Sequence, residues 1–329
     1  MQTAGTSSRP VAILGASGNV GSQALDLLRR QHLDARPLSS RHEVVQSWRR
    51  DGLDARRVDL DDPDARTALR HALTGVDTLL LIVAASPRQA AQGRLAVEAA
   101  VEAGVRRVVH LSSADGRVGS PVPWADACAR TDALIRASGL TWTILLPTAF
   151  DVDLLELATP VGLGWLPQVA GDGAVGWVDV GDIARVATEV ITASMPPGGA
   201  YDGRTLTLTG PELLGFGEVA QIMSSVLDRP VRHVDLPVPV FRTLLRLAGQ
   251  DRWTTEAVIA QFADVVRHGK DGADVLTDTV REVTGRDPVP LAAFVDAHRD
   301  RFGRPSPAKS LVSGAARALR GVVSKTRAS

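Results

Sequence analysis

The chain has 329 residues, with 37 Lys plus Arg against 37 Asp plus Glu, a formal net charge of zero, and 44% apolar residues. At about 150 residues per domain, this suits two domains with a real core. The balanced charge excludes a general nucleic-acid binder, and the ordinary apolar content excludes pervasive disorder.

From residue 11 onward, β-rich runs alternate with amphipathic, helix-length segments. Strands are predicted at 11–14, 35–39, 55–58, 78–83, 107–111 and 141–146. Helices are predicted between them at 21–31, 41–50, 63–73, 87–103 and 124–137. Pro63, after Asp61 and Asp62, suits an acidic cap with proline in the first helical turn. Gly104 and Gly139 stand at the usual helix stop position. The run Leu79-Leu80-Leu81-Ile82-Val83 is continuously apolar, as in strands covered on both faces. The expected fold class is α/β, a doubly wound parallel sheet of the Rossmann type.

The alternation then breaks. Residues 159–177 are Gly-rich, followed by a helix at 181–193, a turn cluster Met195-Pro196-Pro197-Gly198-Gly199, and a strand at 205–208. A helix at 216–227, a strand at 231–234 and further helices to about Phe302 complete this part. We therefore expect a flexible N-terminus (1–9), a dinucleotide domain (10–158), and a smaller, mainly helical substrate portion (159–303), some of whose segments return to the first domain. The remaining residues, 304–329, form a basic tail with six basic residues and no acidic one. Its apolar positions Leu311, Val312, Ala315, Leu319, Val322 and Val323 fit either a loosely docked end or a partner or membrane-surface helix.

The most informative segment is Gly15-Ala16-Ser17-Gly18-Asn19-Val20-Gly21, directly after the first strand. Gly15 permits a tight turn, Gly18 lets the backbone approach a pyrophosphate, and Gly21 lets the helix pack on the strand. First-turn N–H groups and the helix dipole then face the anion. A glycine triplet alone is a weak signal, and its strand-turn-helix context gives it meaning. The second strand ends in Ser39, Ser40 and Arg41, with no carboxylate for ribose hydroxyls, so these residues suit a 2′-phosphate and NADP(H) over NAD(H). Arg41 also reads as a solvated helix-start residue. Asp59, followed by Leu60, suits the adenine amino group or a helix cap with Asp61 and Asp62.

Cys128 is the single cysteine, which excludes an intrachain disulfide and a cysteine-rich zinc site; no metal is expected. The longest aliphatic stretch, 79–85, is too short to span a bilayer, and residues 1–10 lack the apolar core of a signal peptide. A cytoplasmic protein without a transmembrane segment is expected.

Together these features resemble the NmrA-like group of atypical short-chain dehydrogenases/reductases, over about residues 10–302. The resemblance rests on the Gly15–Gly21 turn, on Arg107-Val108-Val109-His110-Leu111-Ser112-Ser113, and on the run from Ala137 through Ser138-Gly139-Leu140 to Pro147-Thr148-Ala149-Phe150. Val178-Asp179-Val180-Gly181-Asp182-Ile183-Ala184 and Gly203-Arg204 through Gly210-Pro211 continue it. The resemblance implies that Ala84, Ala85 and Ser86, up to Pro87, line the adenosine side of the cofactor. It further implies that Ser112 and Ser113 border the nicotinamide, and that Pro147 to Phe150 form a loop beside it.

One departure governs the chemistry. The wider superfamily uses a Tyr and, four residues later, a Lys; counting back from Ser138-Gly139-Leu140 puts Trp124 and Cys128 in those places. Indole does not titrate, and a thiol cannot replace an ammonium on the ribose. The scarcity of both residue types makes substitution elsewhere difficult: Lys270, Lys309 and Lys325 are the only lysines and Tyr201 the only tyrosine. Leu146 likewise replaces the usual Arg before Pro147.

Three readings follow. The protein is an NADP(H)-dependent reductase of a carbonyl, enone or quinone, or an NADP(H)-sensing regulator, or a non-redox or coupling enzyme on the same scaffold. For the reductase, Ser113 is the candidate substrate hydrogen bonder, with Ser112 and Asp115 beside it. Ser113 and Asp115 also read as ordinary turn residues, His110 as a core histidine, and Cys128 as a nucleophile only if its pKa were depressed. Trp165, Trp177, Phe216, Phe241 and Trp253 offer apolar walls for an aromatic or conjugated substrate, or simply core packing. The implied partners are that small molecule and a second chain in a homodimer. The Arg- and Ala-rich composition fits a high-GC bacterial genome and a role in secondary metabolism.

Overall fold

A computed structural model describes residues 10–193, 198–270 and 274–303. The expected N-terminal arm, the turn at 195–197 and the basic tail lie outside the described residues. The order begins β1 (Val11–Leu14), α1 (Asn19–Arg30), β2 (Ala35–Ser39), α2 (His42–Arg50), β3 (Arg56–Arg57), α3 (Ala65–Leu73) and β4 (Thr78–Leu81). It continues with α4 (Gln89–Glu102), β5 (Arg107–Leu111), α5 (Pro123–Ala137) and β6 (Thr141–Pro147). Then come α6 (Ala158–Gly162), β7 (Trp165–Gln168), β8 (Ala174–Val175), α7 (Val180–Ala193), β9 (Arg204–Leu208), β10 (Leu214–Gly215) and α8 (Phe216–Val226). The last are β11 (Arg232–Asp235), α9 (Val238–Leu247), α10 (Arg252–Ile259), α11 (Thr279–Thr284) and α12 (Leu291–Ala297).

Seven strands form one parallel sheet in the order β3-β2-β1-β4-β5-β6-β9. Alternating side chains explain the continuously apolar strands. Val11, Ile13 and Leu80 join a core with α1 and α7, through Ala24, Leu28, Ile183 and Val190. Ala12, Leu14, Leu79 and Leu81 join another core with α3, α4 and α5, through Leu69, Ala96 and Ile135. Both sheet faces are thus buried, as parallel strands require. The chain turns outward from β1 toward β2 and resumes on β1's other side with β4, which creates a topological switch at their C-terminal ends, where such folds bind ligands.

Two sequence expectations are corrected. Helix α3 starts at Ala65, after Pro63, because Asp59 and Asp62 accept the N–H groups of Asp61 and Asp64 in local turns at 3.1 and 2.9 Å. Such side-chain bonds compete with helix entry. Within the Gly-rich residues 159–177, for which no element is predicted, lie β7, β8 and most of the short helix α6 (Ala158–Gly162). The stops at Gly104 and Gly139 hold, with φ of +74° and +80°.

Residues after 159 serve both parts of the molecule. Strand β9 pairs with β6, Thr143 opposite Arg204, and α7 lies against α1. The rest builds a second cluster around Leu166, Trp177, Phe216, Val219, Met223, Phe294 and Phe302. Among the described residues, no helix is long and apolar enough to cross a membrane.

Candidate active site

The turn after β1 is determined by backbone space. Gly15 has φ +83°, and a Cβ there would sit 2.6 Å from the Ile82 carbonyl oxygen. A Cβ at Gly21 would lie 2.2 Å from the Gly15 oxygen, so helix and turn touch through bare backbone. Gly18 differs: its Cβ would meet only the Gly15 oxygen at 3.4 Å, an ordinary contact, and the residue is exposed. Its missing side chain therefore leaves room on the outer side of the turn. Helix α1 begins at Asn19 with neither a side-chain cap nor an acidic residue in its first turn. Its first N–H groups have no intrahelical acceptor and are available to an anion. Val20 is buried in the core, so only its backbone serves this site.

Ser17, Ser39 and Arg41 meet in one hydrogen-bonded turn. The two serine hydroxyls are 2.9 Å apart, the Arg41 N–H donates to Ser39 Oγ at 3.2 Å, and the Arg41 guanidinium donates to the Ser17 carbonyl. Sequence reading missed Arg57, which register places opposite Ser39 and whose Nε donates to the Ser40 carbonyl at 3.1 Å. The signal was present as the arginine pair in the third strand, but only strand pairing shows which neighbour it faces. Asp59 is engaged in its own turn and lies 3.9 Å from the Arg57 guanidinium, while Leu60 packs on the core. Beyond β4, Ala84 and Ala85 are exposed on the same edge, and Ser86 Oγ accepts the Arg88 N–H at 3.2 Å.

At the end of β5 the serines diverge. Ser112 is buried, and its hydroxyl donates to Asp132 Oδ2 at 2.7 Å. Asp132 Oδ1 also meets His110 Nδ1 at 2.7 Å, so His110, Ser112 and Asp132 form an internal support. Ser113 is half-buried and donates to Asp115 Oδ1. Asp115 is buried, and its Oδ2 has no partner. The turn is tied to β6 by the Ala114 N–H, which donates to the Pro147 carbonyl at 2.9 Å. Phe150 is half-buried and bridges to Val178.

The two replaced positions are both structurally committed. Trp124 is half-buried, donates from Nε1 to Gln261 Oε1 at 3.3 Å, and meets Trp253 edge-on at 6.1 Å. Cys128 is buried, and desolvation, then the charges of Asp132 and Asp115, push its thiol up to about 12. It is therefore neither a nucleophile nor a cation at neutral pH. Of the five apolar-wall candidates, Trp177, Phe216 and Phe241 are core residues, whereas Trp165 and Trp253 are half-buried. Asp151, unnoticed in the sequence, is buried with Oδ1 unpartnered; desolvation, then the Asp179 charge, raise its carboxyl to about 8.

A glycine cradle at the switch point, a helix N-terminus open to an anion and a Ser-Arg turn beside it define a dinucleotide-binding protein of the oxidoreductase class. Residues 15–194 match the family model described as NAD(P)H-binding. The chain belongs to this family, and it shares its fold with NmrA, with TM-score 0.68 at 15% identity over 90% of this chain and 96% of that one. It is 29% identical to an NAD(P)H azoreductase of Xenophilus azovorans, over 89% of this chain and 99% of that protein. It is 31% identical to a (4-alkanoyl-5-oxo-2,5-dihydrofuran-3-yl)methyl phosphate reductase of Streptomyces griseus, with the same two coverages. An Escherichia coli NADPH-dependent quinone oxidoreductase solved with NADPH shares the fold, with TM-score 0.76, 24% identity and coverage of 88% and 99%.

Proposed function

We propose that the protein is an NADP(H)-dependent reductase of a planar, conjugated small molecule, a quinone, enone or related carbonyl, working without the Tyr/Lys pair. A place in bacterial secondary metabolism goes with this reading. The observation that carries it is an arginine-serine turn, free of carboxylate at the end of β2, on a sheet whose helix α5 carries Trp124 and Cys128 where the resemblance puts the proton-transfer pair. The relatives named for azo compounds, a quinone and an unsaturated lactone phosphate support an electron-poor, conjugated acceptor.

When bound, the dinucleotide supplies a hydride, and the fold's task is to orient it. The backbone N–H groups at Asn19 and Val20 would hold the pyrophosphate, and Ser39, Ser40, Arg41 and Arg57 the 2′-phosphate. Ala84, Ala85 and Ser86 would flank the adenosine half, and Pro147 and Phe150 the nicotinamide. Ser113 would hydrogen-bond the substrate oxygen. Its single proton points at Asp115, so it donates to a developing enolate only by rotating outward, while Asp115 restores the orientation afterwards. A conjugated acceptor spreads the incoming charge over several atoms and takes its proton from solvent, which makes a tyrosine dispensable. The half-buried rings of Trp124 and Trp253, inclined at 69° to each other, offer an apolar corner for such a molecule.

The test is NADPH oxidation with a panel of quinones and enones. We expect turnover with at least one acceptor, and loss of both turnover and NADPH binding in Gly18→Asp, whose carboxylate would occupy the pyrophosphate's place. Tight NADPH binding with no turnover across the panel would instead identify a regulator.

A further inference from the structure

Around the Cys128 thiol, two buried hydrogen-bond acceptors lack a donor: Gln89 Oε1 and Asp115 Oδ2. Gln89 is 6% exposed and opens α4, directly after the loop that leaves β4. Its amide nitrogen reaches the Val83 carbonyl and Cys128 Sγ, each at 3.4 Å, which leaves the oxygen unused. Asp115 is 5% exposed, and its other oxygen is taken by Ser113. A buried polar atom without a partner costs about 1–3 kcal/mol, so two such atoms around one thiol are unusual in a core. Both lie at the C-terminal edge of β4 and β5, beside the dinucleotide crevice. Cys128 cannot supply what is missing, because a thiol is a weak donor.

A vicinal diol does have two hydroxyl donors. We propose that Gln89 and Asp115 hold the nicotinamide-side ribose of the cofactor as hydrogen-bond acceptors, so that the sugar donates to the protein. This rests on the dinucleotide reading of the site. It inverts the polarity of an ammonium at position 128, and it explains how the sugar is held in a chain with no lysine in its first half.

The experiment compares two ligands by calorimetry: NADPH, which carries that ribose, and adenosine 2′,5′-bisphosphate, which lacks it. In Gln89→Met, of nearly the same volume, NADPH should bind about tenfold more weakly, equivalent to about 1.4 kcal/mol. Affinity for the bisphosphate should stay within about twofold of wild type, and the melting temperature of the ligand-free protein should change little, because removal of the unsatisfied oxygen offsets loss of the long amide contact to the Val83 carbonyl. Gln89→Leu is the second variant and should behave alike. Unchanged NADPH affinity, or equal losses for both ligands, would overturn the proposal. If the wild-type protein bound neither ligand, the dinucleotide reading itself would fail.

Discussion

At the residue scale, the proposed preference for NADP(H) rests on two guanidinium groups. Arg41, just before α2, and Arg57, on β3, meet around Ser39 and Ser40, and each guanidinium donates to a backbone carbonyl, of Ser17 and Ser40 respectively. Charge-assisted bonds to a phosphate are stronger than bonds to a neutral carbonyl, so a 2′-phosphate would draw both groups toward it. Arg41→Ala should therefore weaken NADPH by about tenfold or more while leaving NADH almost unchanged; equal losses measured by titration would mean that Arg41 makes no such contact. Asp151 carries a pH prediction. Its carboxyl keeps a proton up to about pH 8 in the folded protein, and an unfolded aspartate releases it near pH 4. Between these values the folded state binds the extra proton, so stability falls as pH rises and levels off above about 8. Asp179, Asp182 and Arg185 share that environment, and Asp182 is shifted upward too, mainly by burial. Asp151→Asn should flatten the slope without abolishing it, and should melt above wild type at pH 9. An unchanged slope in thermal scans from pH 5 to 9 would assign the effect elsewhere.

At the element scale, the glycines show which helices are locked and which have room. Gly93 on α4 faces α5 so closely that a Cβ would lie 2.2 Å from the buried Thr131 hydroxyl, which donates to the Ala127 carbonyl. Gly93→Ala should destabilise the protein by about 1–3 kcal/mol through overpacking, read as a lowered melting temperature, whereas nothing stands near a Cβ at Gly217. Helix–strand alternation was legible because it is written in local periodicity: β1, β2 and β5 appear at the bounds read from sequence. The start of α3 was not, because the choice between capping a helix and closing an Asx turn at Asp59 and Asp62 turns on backbone geometry. Likewise Ser112 and Ser113 are adjacent and chemically alike. Only the position of Asp132 on α5 turns one inward and leaves the other at the surface of the site.

At the scale of the whole molecule, the sheet is completed by residues far from its first six strands. Strand β9 and helix α7 cover β6 and the α1 face, and the Arg107 guanidinium is paired with Asp202 at 2.9 Å across this junction. A fragment ending at residue 158 would expose the Val109, Leu145 and Ala24 face and lose the Arg107–Asp202 ion pair. It should express as an aggregating or molten species, with broad amide resonances where the full chain gives dispersed ones; a folded fragment would show that the first six strands suffice. By itself, the sequence determined the parallel α/β class, the phosphate turn and the absence of a Tyr/Lys pair, because periodicity, glycine spacing and residue counts are local properties. Tertiary structure alone decided that Arg57 faces Ser40, that Cys128 is an inert buried thiol, and that Gln89 and Asp115 leave acceptors unused beside it. Those facts depend on which distant segments the sheet brings together, and on how much water that packing removes.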